Sequence, residues 1–208
     1  MTSDTPPIVL ASASAARARL LRAAGVAVTL QPARIDEAAV KEALAAEGAS
    51  AEDAAVAIAE FKGRAVAARV PAGAIVLAAD QLLEAEGTWF DKPRDTAEAL
   101  AHLMRLSGRR HDLIAAAVGF RGGARVWHQV SRARLWMRPF DEAFARAYLE
   151  AAGPDVLACV GCYEIEGLGA QLMNRIEGDL FTVQGLPLLP VLQFLRDQGA
   201  LQAPMRCT

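Results

Sequence analysis

The chain has 208 residues, of which 53% are hydrophobic and 22% are charged, with a formal net charge of -2. These are globular values, and so weak a net charge produces no overall field that would attract nucleic acid or a membrane surface. Three cysteines, no secretory leader in MTSDTPP and no apolar run of about 18 residues predict a soluble cytoplasmic protein. The length predicts a single domain over residues 1–208, with two lobes around a central cleft as the alternative.

The stretch from Ile8 to Gly25 is typical of a strand that passes through a small-residue turn into a helix. Ser14 is the expected N-cap. Such a turn directs unpaired backbone N–H groups and the positive end of the helix dipole at one point, where an anion is stabilised. Arg17 in the first turn opposes that dipole, so we interpret it as a phosphate ligand. The alternative is an ordinary strand-helix unit with a surface arginine.

Further elements of the first half bring charged residues next to strands and helices. Glu37 precedes a predicted helix, and Lys62 lies inside the next one. Asp80 directly follows an apolar strand, at the end where open α/β sheets place their ligands. In order, the sequence predicts a strand over about Val26 to Leu30, a helix over about Ala38 to Glu47, a helix from a capping box at Ser50 to about Arg69, and a buried strand over Ala74 to Ala79.

The second half of the chain combines hairpins with helices. Because hairpins cannot be parallel crossovers, the predicted fold class is α/β with a mixed sheet flanked by helices. The last eight residues, 201–208, are expected to form a loose tail. In order, the sequence predicts a hairpin over Leu82 to Phe90, a helix from Asp95 to about Gly108, a hairpin over about His111 to Met137 turning at Gly122-Gly123, a helix from Asp141 to about Ala151, a strand over Cys159 to Ile165, and a helix over about Pro187 to Asp197.

Several other chemical signals in the sequence are weak. Cys159 and Cys162 have C-x-x-C spacing, but there is no second pair for zinc, and on a strand the two side chains would point to opposite faces. His102, His111 and His128 lack metal-ligand spacing, which favours structural or surface roles. The sequence has no Walker-type loop, dinucleotide fingerprint or nucleophile elbow, which counts against a kinase, a GTPase or a dinucleotide enzyme.

The remaining polar residues suit a polyphosphate. Hydrolysis of a nucleoside triphosphate requires oxygen ligands for a hard cation, positive groups for the phosphates, and a carboxylate that orients or deprotonates water. Each residue taken alone is more simply explained as a solvated charge, but the order and contexts of the set favour the triphosphate interpretation. The set contains Ser12, Ser14, Arg17, Glu37, Lys62, Asp80, Lys92, Glu166 and Asp179.

Over nearly its whole length the chain resembles the Maf family of nucleoside triphosphate pyrophosphatases. No single motif is specific, but the order of the motifs is. They are LASASAARARLL with Ala15 in place of the family's proline, Ile35-Asp36-Glu37, Lys62, Asp80-Gln81, Lys92-Pro93, Leu106-Ser107-Gly108 to His111, Glu166-Gly167, Gly178-Asp179 and Gly185-Leu186-Pro187.

The resemblance implies a fold, an activity and residue roles. The implied fold is the inosine triphosphate pyrophosphatase-like arrangement with an elongated sheet, commonly dimeric. The implied reaction cleaves between the α and β phosphorus atoms and gives a monophosphate and pyrophosphate. Asp80 would be the general base, with Glu37 and Asp80 as neighbours of Mg²⁺ or Mn²⁺. The phosphates would be held by Ser12, Ser14, Arg17, Lys62 and Lys92.

Three positions sort the family by base, and here they are Ala16, Gln81 and Glu166. Members acting on thymidine and uridine triphosphates carry Arg, Thr and Gln, whereas the 7-methylguanosine triphosphate group carries Trp, Gln and Glu. A carboxylate can accept from both N1–H and the N2 amine of guanine, and it favours the positive charge of an N7-methylated purine. Gln81 and Glu166 thus match the 7-methylguanosine triphosphate group, whereas Ala16 departs from both patterns and lacks the stacking surface of a tryptophan.

Other functions stay open at this point. One alternative is a pyrophosphatase of broad base range or of the thymidine and uridine type. Another is a non-catalytic nucleotide-binding regulator of cell division, because the family's name is tied to inhibition of septum formation. The chain retains Asp80, Glu37 and the three cationic residues expected to bind phosphate, which argues against a catalytically inactive family member. The predicted partners are a small-molecule nucleotide and a second copy of the chain, with no nucleic acid or membrane.

Overall fold

The computed structural model describes residues 5–201, so the expected tail lies outside the described residues except for Leu201. None of the helices within this range has the length and apolarity needed to cross a membrane. The strands are β1 (Ile8–Leu10), β2 (Val28–Leu30), β3 (Ile75–Ala85), β4 (Thr88–Phe90), β5 (Arg110–Arg121), β6 (Ala124–Met137) and β7 (Met173–Glu177). The α-helices are α1 (Ala15–Ala23), α2 (Glu37–Ala46), α3 (Ala51–Ala67), α4 (Thr96–Leu106), α5 (Glu142–Ala152), α6 (Leu180–Val183) and α7 (Leu188–Asp197).

The strands form a mixed seven-stranded sheet, which confirms the predicted α/β class. Six strands follow one another in the order β2-β1-β3-β5-β6-β7, and the seventh, β4, pairs with β3. β1 lies parallel to both neighbours, with Ile8 opposite Val28 on one side and Ile75 on the other. β4 and β7 lie antiparallel to β3 and β6, so hairpins and crossovers share one sheet.

The two predicted hairpin turns are confirmed. Glu86 and Gly87 connect β3 to β4 with φ values of 51° and 75°, and Gly122 and Gly123 connect β5 to β6 with φ values of 59° and 80°. Two successive positive φ values are typical of the type I′ turn, whose twist matches that of the flanking strands. Glycine adopts these angles without steric cost.

The prediction that a strand ends at Asp80 is wrong. β3 continues through Asp80 to Ala85, because the apolar run and the first arm of the predicted hairpin are one strand. Asp80 therefore lies inside a strand rather than at its carboxyl end. The strand position fixes the direction of its side chain more firmly than a loop would.

The predicted strand over Cys159 to Ile165 is also wrong. A 3₁₀ helix, Pro154–Ala158, leads into turns, and Gly161 adopts a φ of 81° that interrupts any extended run. The N–H of Cys162 donates to the carbonyl of Cys159 at 3.2 Å, so both cysteines lie on one turn rather than on opposite faces of a strand. Cys162 is fully buried, whereas Cys159 is half-buried.

The packing of the chain divides it into two compact units. Within the described range, unit 1 comprises residues 5–80, 116–130 and 186–201, and unit 2 comprises residues 81–115 and 131–185. Each unit has an apolar core. The core of unit 1 includes Val9, Val66, Val76, Val118 and Phe120, and the core of unit 2 includes Leu83, Leu103, Leu113, Leu135 and Tyr163.

Unit 2 contains a buried histidine that makes stability depend on pH. His111 is 1% exposed, and burial lowers its pKa to about 4, although the nearby Asp112 raises it in part. An unfolded histidine titrates near pH 6.5, so below that pH the unfolded chain binds the extra proton. The free energy of unfolding should then fall by up to about 1.4 kcal/mol per pH unit as the pH drops through this window.

Urea unfolding between about pH 7.5 and 5.5, where carboxylates stay ionised, measures this effect. We expect His111→Gln to reduce the pH slope, because glutamine cannot titrate. The exposed His128 provides the matched control, and His128→Gln should keep the wild-type slope. Equal slopes in wild type and His111→Gln would contradict the assignment to His111.

Candidate active site

Ser12, Ser14 and Arg17 lie together where β1 passes into α1. Ser14 is the N-cap, as predicted, and its Oγ accepts from the N–H of Arg17 at 3.3 Å. The Oγ of Ser12 accepts from the N–H of Ser14 at 3.1 Å and from Nη1 of Arg17 at 3.2 Å. Both acceptor positions of this hydroxyl are thus used, so its O–H is left to donate to a ligand.

Arg17 is a buried cation at the start of a helix. It is 8% exposed, and the first turn of α1 contains no acidic residue. Burial lowers the pKa of Arg17, while the charges of Asp80 and Glu37 raise it. A guanidinium nevertheless stays protonated in proteins, so this end of α1 holds a positive charge that favours an anion. The neighbouring Ala16 is half-buried.

Lys62 forms ion pairs with Glu37 and Asp80, the two carboxylates expected near the metal. Its Nζ lies 2.6 Å from Oε2 of Glu37 and 2.7 Å from Oδ1 of Asp80. Lys62 belongs to α3, Asp80 to β3, and Glu37 is the first residue of α2. The side chains of Lys62 and Asp80 are 8% and 10% exposed, whereas that of Glu37 is 54% exposed. The buried pair is therefore accompanied by a carboxylate that solvent can reach.

A glycine allows α3 to lie close enough to the sheet for this contact. A Cβ at Gly63 would lie 2.4 Å from Cε2 of Phe120 and 3.3 Å from the Cβ of Ala78. A larger residue would push α3 away from the strand that contains Asp80. Gly63 was not among the residues predicted to form the site. A glycine inside a helix costs about 1 kcal/mol relative to alanine, so its presence in the predicted helix already indicated that something packs closely against that position.

Glu37 and Asp80 provide carboxylate oxygens of the kind that a divalent cation binds. Oxygens of Glu37 and Asp80 converge on the same ammonium nitrogen, a position that a cation already occupies. Over residues 5–201, no group of three or more His, Cys, Asp or Glu side chains could hold a metal ion. Mg²⁺ is commonly held by one or two carboxylates, with substrate phosphates and water completing its shell. This donor set suits that arrangement better than a cage built only from protein.

The other predicted site residues belong to unit 2 and lie on separate elements. Lys92 is exposed and follows β4, and Glu166 is exposed in a turn at residues 165–167. Gln81 is half-buried in β3, and its Nε2 donates to the carbonyls of Thr182 at 2.9 Å and Val183 at 3.1 Å. Both amide hydrogens of Gln81 are therefore engaged at α6, which leaves its Oε1 for a ligand.

Asp179 has a structural explanation. Its Oδ1 accepts from the N–H of Thr182 at 2.8 Å and its Oδ2 from Oγ1 of Thr182 at 2.5 Å. Asp179 is thus the N-cap of the short helix α6, whose carbonyls bind Gln81. These contacts assign it to local structure rather than to phosphate or metal binding.

Sequence and structure comparisons identify proteins similar to this chain. A family model described as Maf-like protein matches residues 7–198. A Rhodospirillum rubrum protein named nucleoside triphosphate pyrophosphatase is 48% identical over 201 residues, covering 97% of this chain and 99% of its own. A Rhizobium meliloti protein named 7-methyl-GTP pyrophosphatase is 45% identical over 198 residues, which cover 95% of this chain and 99% of that protein. A solved Mycobacterium abscessus nucleoside-triphosphatase, a dITP/XTP pyrophosphatase, is 21% identical, covers 63% of this chain and 72% of its own, and has a TM-score of 0.34, too low to assign a fold.

Proposed function

The chain belongs to the Maf-like protein family, and on this basis we propose that it hydrolyses nucleoside triphosphates to a monophosphate and pyrophosphate, with 7-methylguanosine triphosphate as its preferred substrate. The observation that carries the proposal is the ion cluster of unit 1, in which Lys62 lies between Glu37 and Asp80. The buried Arg17 adds a second cation. Two cations and two carboxylates supply what a triphosphate with a divalent metal requires.

Asp80 is the general base of this proposal. Its Oδ1 is engaged by Lys62 at 2.7 Å. Among residues 5–201 no hydrogen bond engages Oδ2, so this oxygen can accept a proton from water. The water oxygen then attacks phosphorus, the bridging bond between the α and β phosphates breaks, and the bridging oxygen leaves with one of the two products.

Arg17 and Lys62 neutralise the charge that develops on the phosphates. Both cations are buried, which strengthens their interaction with an anion relative to water. The O–H of Ser12 donates a further hydrogen bond, and Ser14 holds α1 in the required position as its N-cap. Lys92 is proposed as an additional phosphate ligand.

We propose that Glu37 and Asp80 would contribute oxygen ligands to a Mg²⁺ or Mn²⁺ ion bound together with the triphosphate. When bound, the metal neutralises phosphate charge and polarises the phosphoryl oxygens. The homodimer that the family resemblance implies also stays a prediction.

The preference for 7-methylguanine rests on Glu166. A carboxylate only accepts hydrogen bonds, which matches the N1–H and N2 donors of guanine and the positive charge of the methylated ring. Gln81 is the residue that the 7-methylguanosine triphosphate group carries at this position. Both of its amide hydrogens are engaged at α6, so only its Oε1 could contact a base. Ala16 offers no aromatic surface for the base, so the carboxylate would supply most of the selectivity.

A screen of product release tests the proposed activity. Purified protein is incubated with 7-methyl-GTP, GTP, dTTP and UTP, each with Mg²⁺ and with Mn²⁺. We expect pyrophosphate and monophosphate in equal amounts, with the highest kcat/KM for 7-methyl-GTP. Release of inorganic phosphate alone would contradict cleavage between the α and β phosphates. Equal kcat/KM values for all four would contradict the base preference and favour a broad-range enzyme.

Glu166→Gln tests the base assignment separately. Glutamine presents a donor to a guanine edge that already donates, and a mismatched buried donor costs about 1–3 kcal/mol, or about tenfold to a hundredfold in specificity. The ratio of kcat/KM for 7-methyl-GTP to that for dTTP should fall by this amount. Glu164→Gln, in the same segment, should leave the ratio unchanged. An unaltered ratio in Glu166→Gln would mean that Glu166 does not contact the base.

A further inference from the structure

His111 ends the Leu106-Ser107-Gly108 motif but takes no part in the proposed chemistry. It lies at the second residue of β5, and its Nε2 lies 2.7 Å from Oη of Tyr163. The two rings meet edge to face, with centroids 5.7 Å apart. His111 and Tyr163 are only 1% and 5% exposed, so this hydrogen bond is shielded from water. Nδ1 of His111 has no hydrogen-bond partner among the described residues.

Tyr163 begins the segment that contains Glu166. The N–H of Gly167 donates to the carbonyl of Glu164 at 3.1 Å, which closes a four-residue turn with Glu166 at its third position. The chain then folds back on itself. A Cβ at Gly169 would lie 2.5 Å from the carbonyl oxygen of Glu164 and 2.8 Å from the Cβ of Tyr163. The chain that follows the turn therefore packs closely on the backbone of Glu164 and on the Cβ of Tyr163, at the two ends of the link between Tyr163 and the turn.

The hydroxyl of Tyr163 determines where this ring can sit. A Cβ at Gly161 would lie 2.7 Å from Cε1 of the Tyr163 ring, so the chain also packs closely before the turn. An apolar contact has no preferred direction, whereas a hydrogen bond also fixes the position of the hydroxyl relative to its partner. A buried O–H must keep its partner, because an unpaired polar group in the interior is costly. His111 supplies that partner from a strand, which positions a side chain more precisely than a loop does.

We propose that His111 is a positioning residue for base recognition, which holds the Glu166 turn in place through the hydroxyl of Tyr163. This inference rests on the proposed contact between Glu166 and the base. The imidazole touches neither the base nor the phosphates. Its effect is to place the carboxylate of Glu166 at one position, so that a guanine edge meets both oxygens without a reorganisation of the turn.

Tyr163→Phe tests the inference, because it removes only the hydroxyl. We expect the ratio of kcat/KM for 7-methyl-GTP to that for dTTP to fall about fivefold, mostly through KM, while kcat on dTTP stays near wild type. The control is Ser107→Ala, in the same motif of unit 2. Ser107 donates to the carbonyl of Phe140 at 2.8 Å and accepts from its N–H at 2.9 Å, so its loss destabilises the unit without touching the Glu166 turn. Ser107→Ala should leave the ratio unchanged, and an equal fall in both variants would overturn the inference.

Two substitutions of His111 test the same hydrogen bond by changing the partner of the Tyr163 hydroxyl. Glutamine can place an amide near the position of Nε2, so His111→Gln should retain most of the ratio, whereas His111→Leu should lower it as Tyr163→Phe does. These variants keep the test decisive if Tyr163→Phe fails to fold. A retained ratio in His111→Leu would overturn the inference.

A double-mutant cycle separates this inference from the base assignment itself. In the Glu166→Gln background, Tyr163→Phe should cause no further fall in the ratio, because the two residues act as one unit. A fivefold fall in that background would show that Tyr163 acts elsewhere and would overturn the inference. If Glu166→Gln shifts the ratio and Tyr163→Phe does not, only the positioning role is lost. If Glu166→Gln leaves the ratio unchanged, the base assignment is wrong and the inference falls with it.

Discussion

Replacement of Asp80 by asparagine is expected to lower kcat on every triphosphate by about 100-fold or more. The amide keeps the shape of the side chain, and its oxygen can still accept the hydrogen bond that Lys62 donates at 2.7 Å in the wild type. It cannot take a proton from water. The measurement is single-substrate kinetics of pyrophosphate release, with urea unfolding to establish that the variant is folded.

The matched control for Asp80→Asn is Glu42→Gln, which also removes one negative charge from unit 1. Glu42 is exposed on α2 and has no contact with Lys62, whose carboxylate partners are Glu37 and Asp80. Its variant should keep wild-type kcat. Turnover near wild type in Asp80→Asn would remove Asp80 from the role of general base.

Arg17→Ala is expected to weaken both binding and turnover by about 100-fold in kcat/KM, and equally for all bases, because phosphate contacts do not distinguish bases. Its guanidinium is buried at the start of α1 and bound to Ser12, so the charge acts in a low-dielectric site. Lys92→Ala should change kcat/KM in the same direction but less, because Lys92 is exposed.

Arg19→Ala provides the control for Arg17→Ala. Arg19 lies two residues further along α1 and is exposed. Arg19→Ala therefore replaces an arginine of the same helix without removing a buried cation. It should leave kcat/KM near wild type. If Arg17→Ala altered only the ranking among bases, Arg17 would contact the base rather than the phosphates.

Features that depend on a few neighbouring residues could be predicted from the amino-acid sequence alone. The cap at Ser14 and the two hairpin turns were predicted correctly, because capping hydrogen bonds and positive φ angles are set by residues no more than three positions apart. The chemical character of the site was also readable, since the residue types at positions 17, 62 and 80 are those that a triphosphate with a divalent metal requires. The order of the motifs then indicated the family.

Which of these residues lie in contact depends on how the chain folds in three dimensions. Lys62 and Asp80 are 18 positions apart, His111 and Tyr163 are 52 apart, and Gln81 contacts a carbonyl 101 positions away. Local propensity does not encode such pairs, because each depends on how a helix packs on the sheet or how a loop folds back. The same reason explains the wrong predictions for the end of β3 and for Cys159 to Ile165. Short apolar runs are compatible with a strand, a turn or the continuation of a neighbouring strand, and the packing around them selects one.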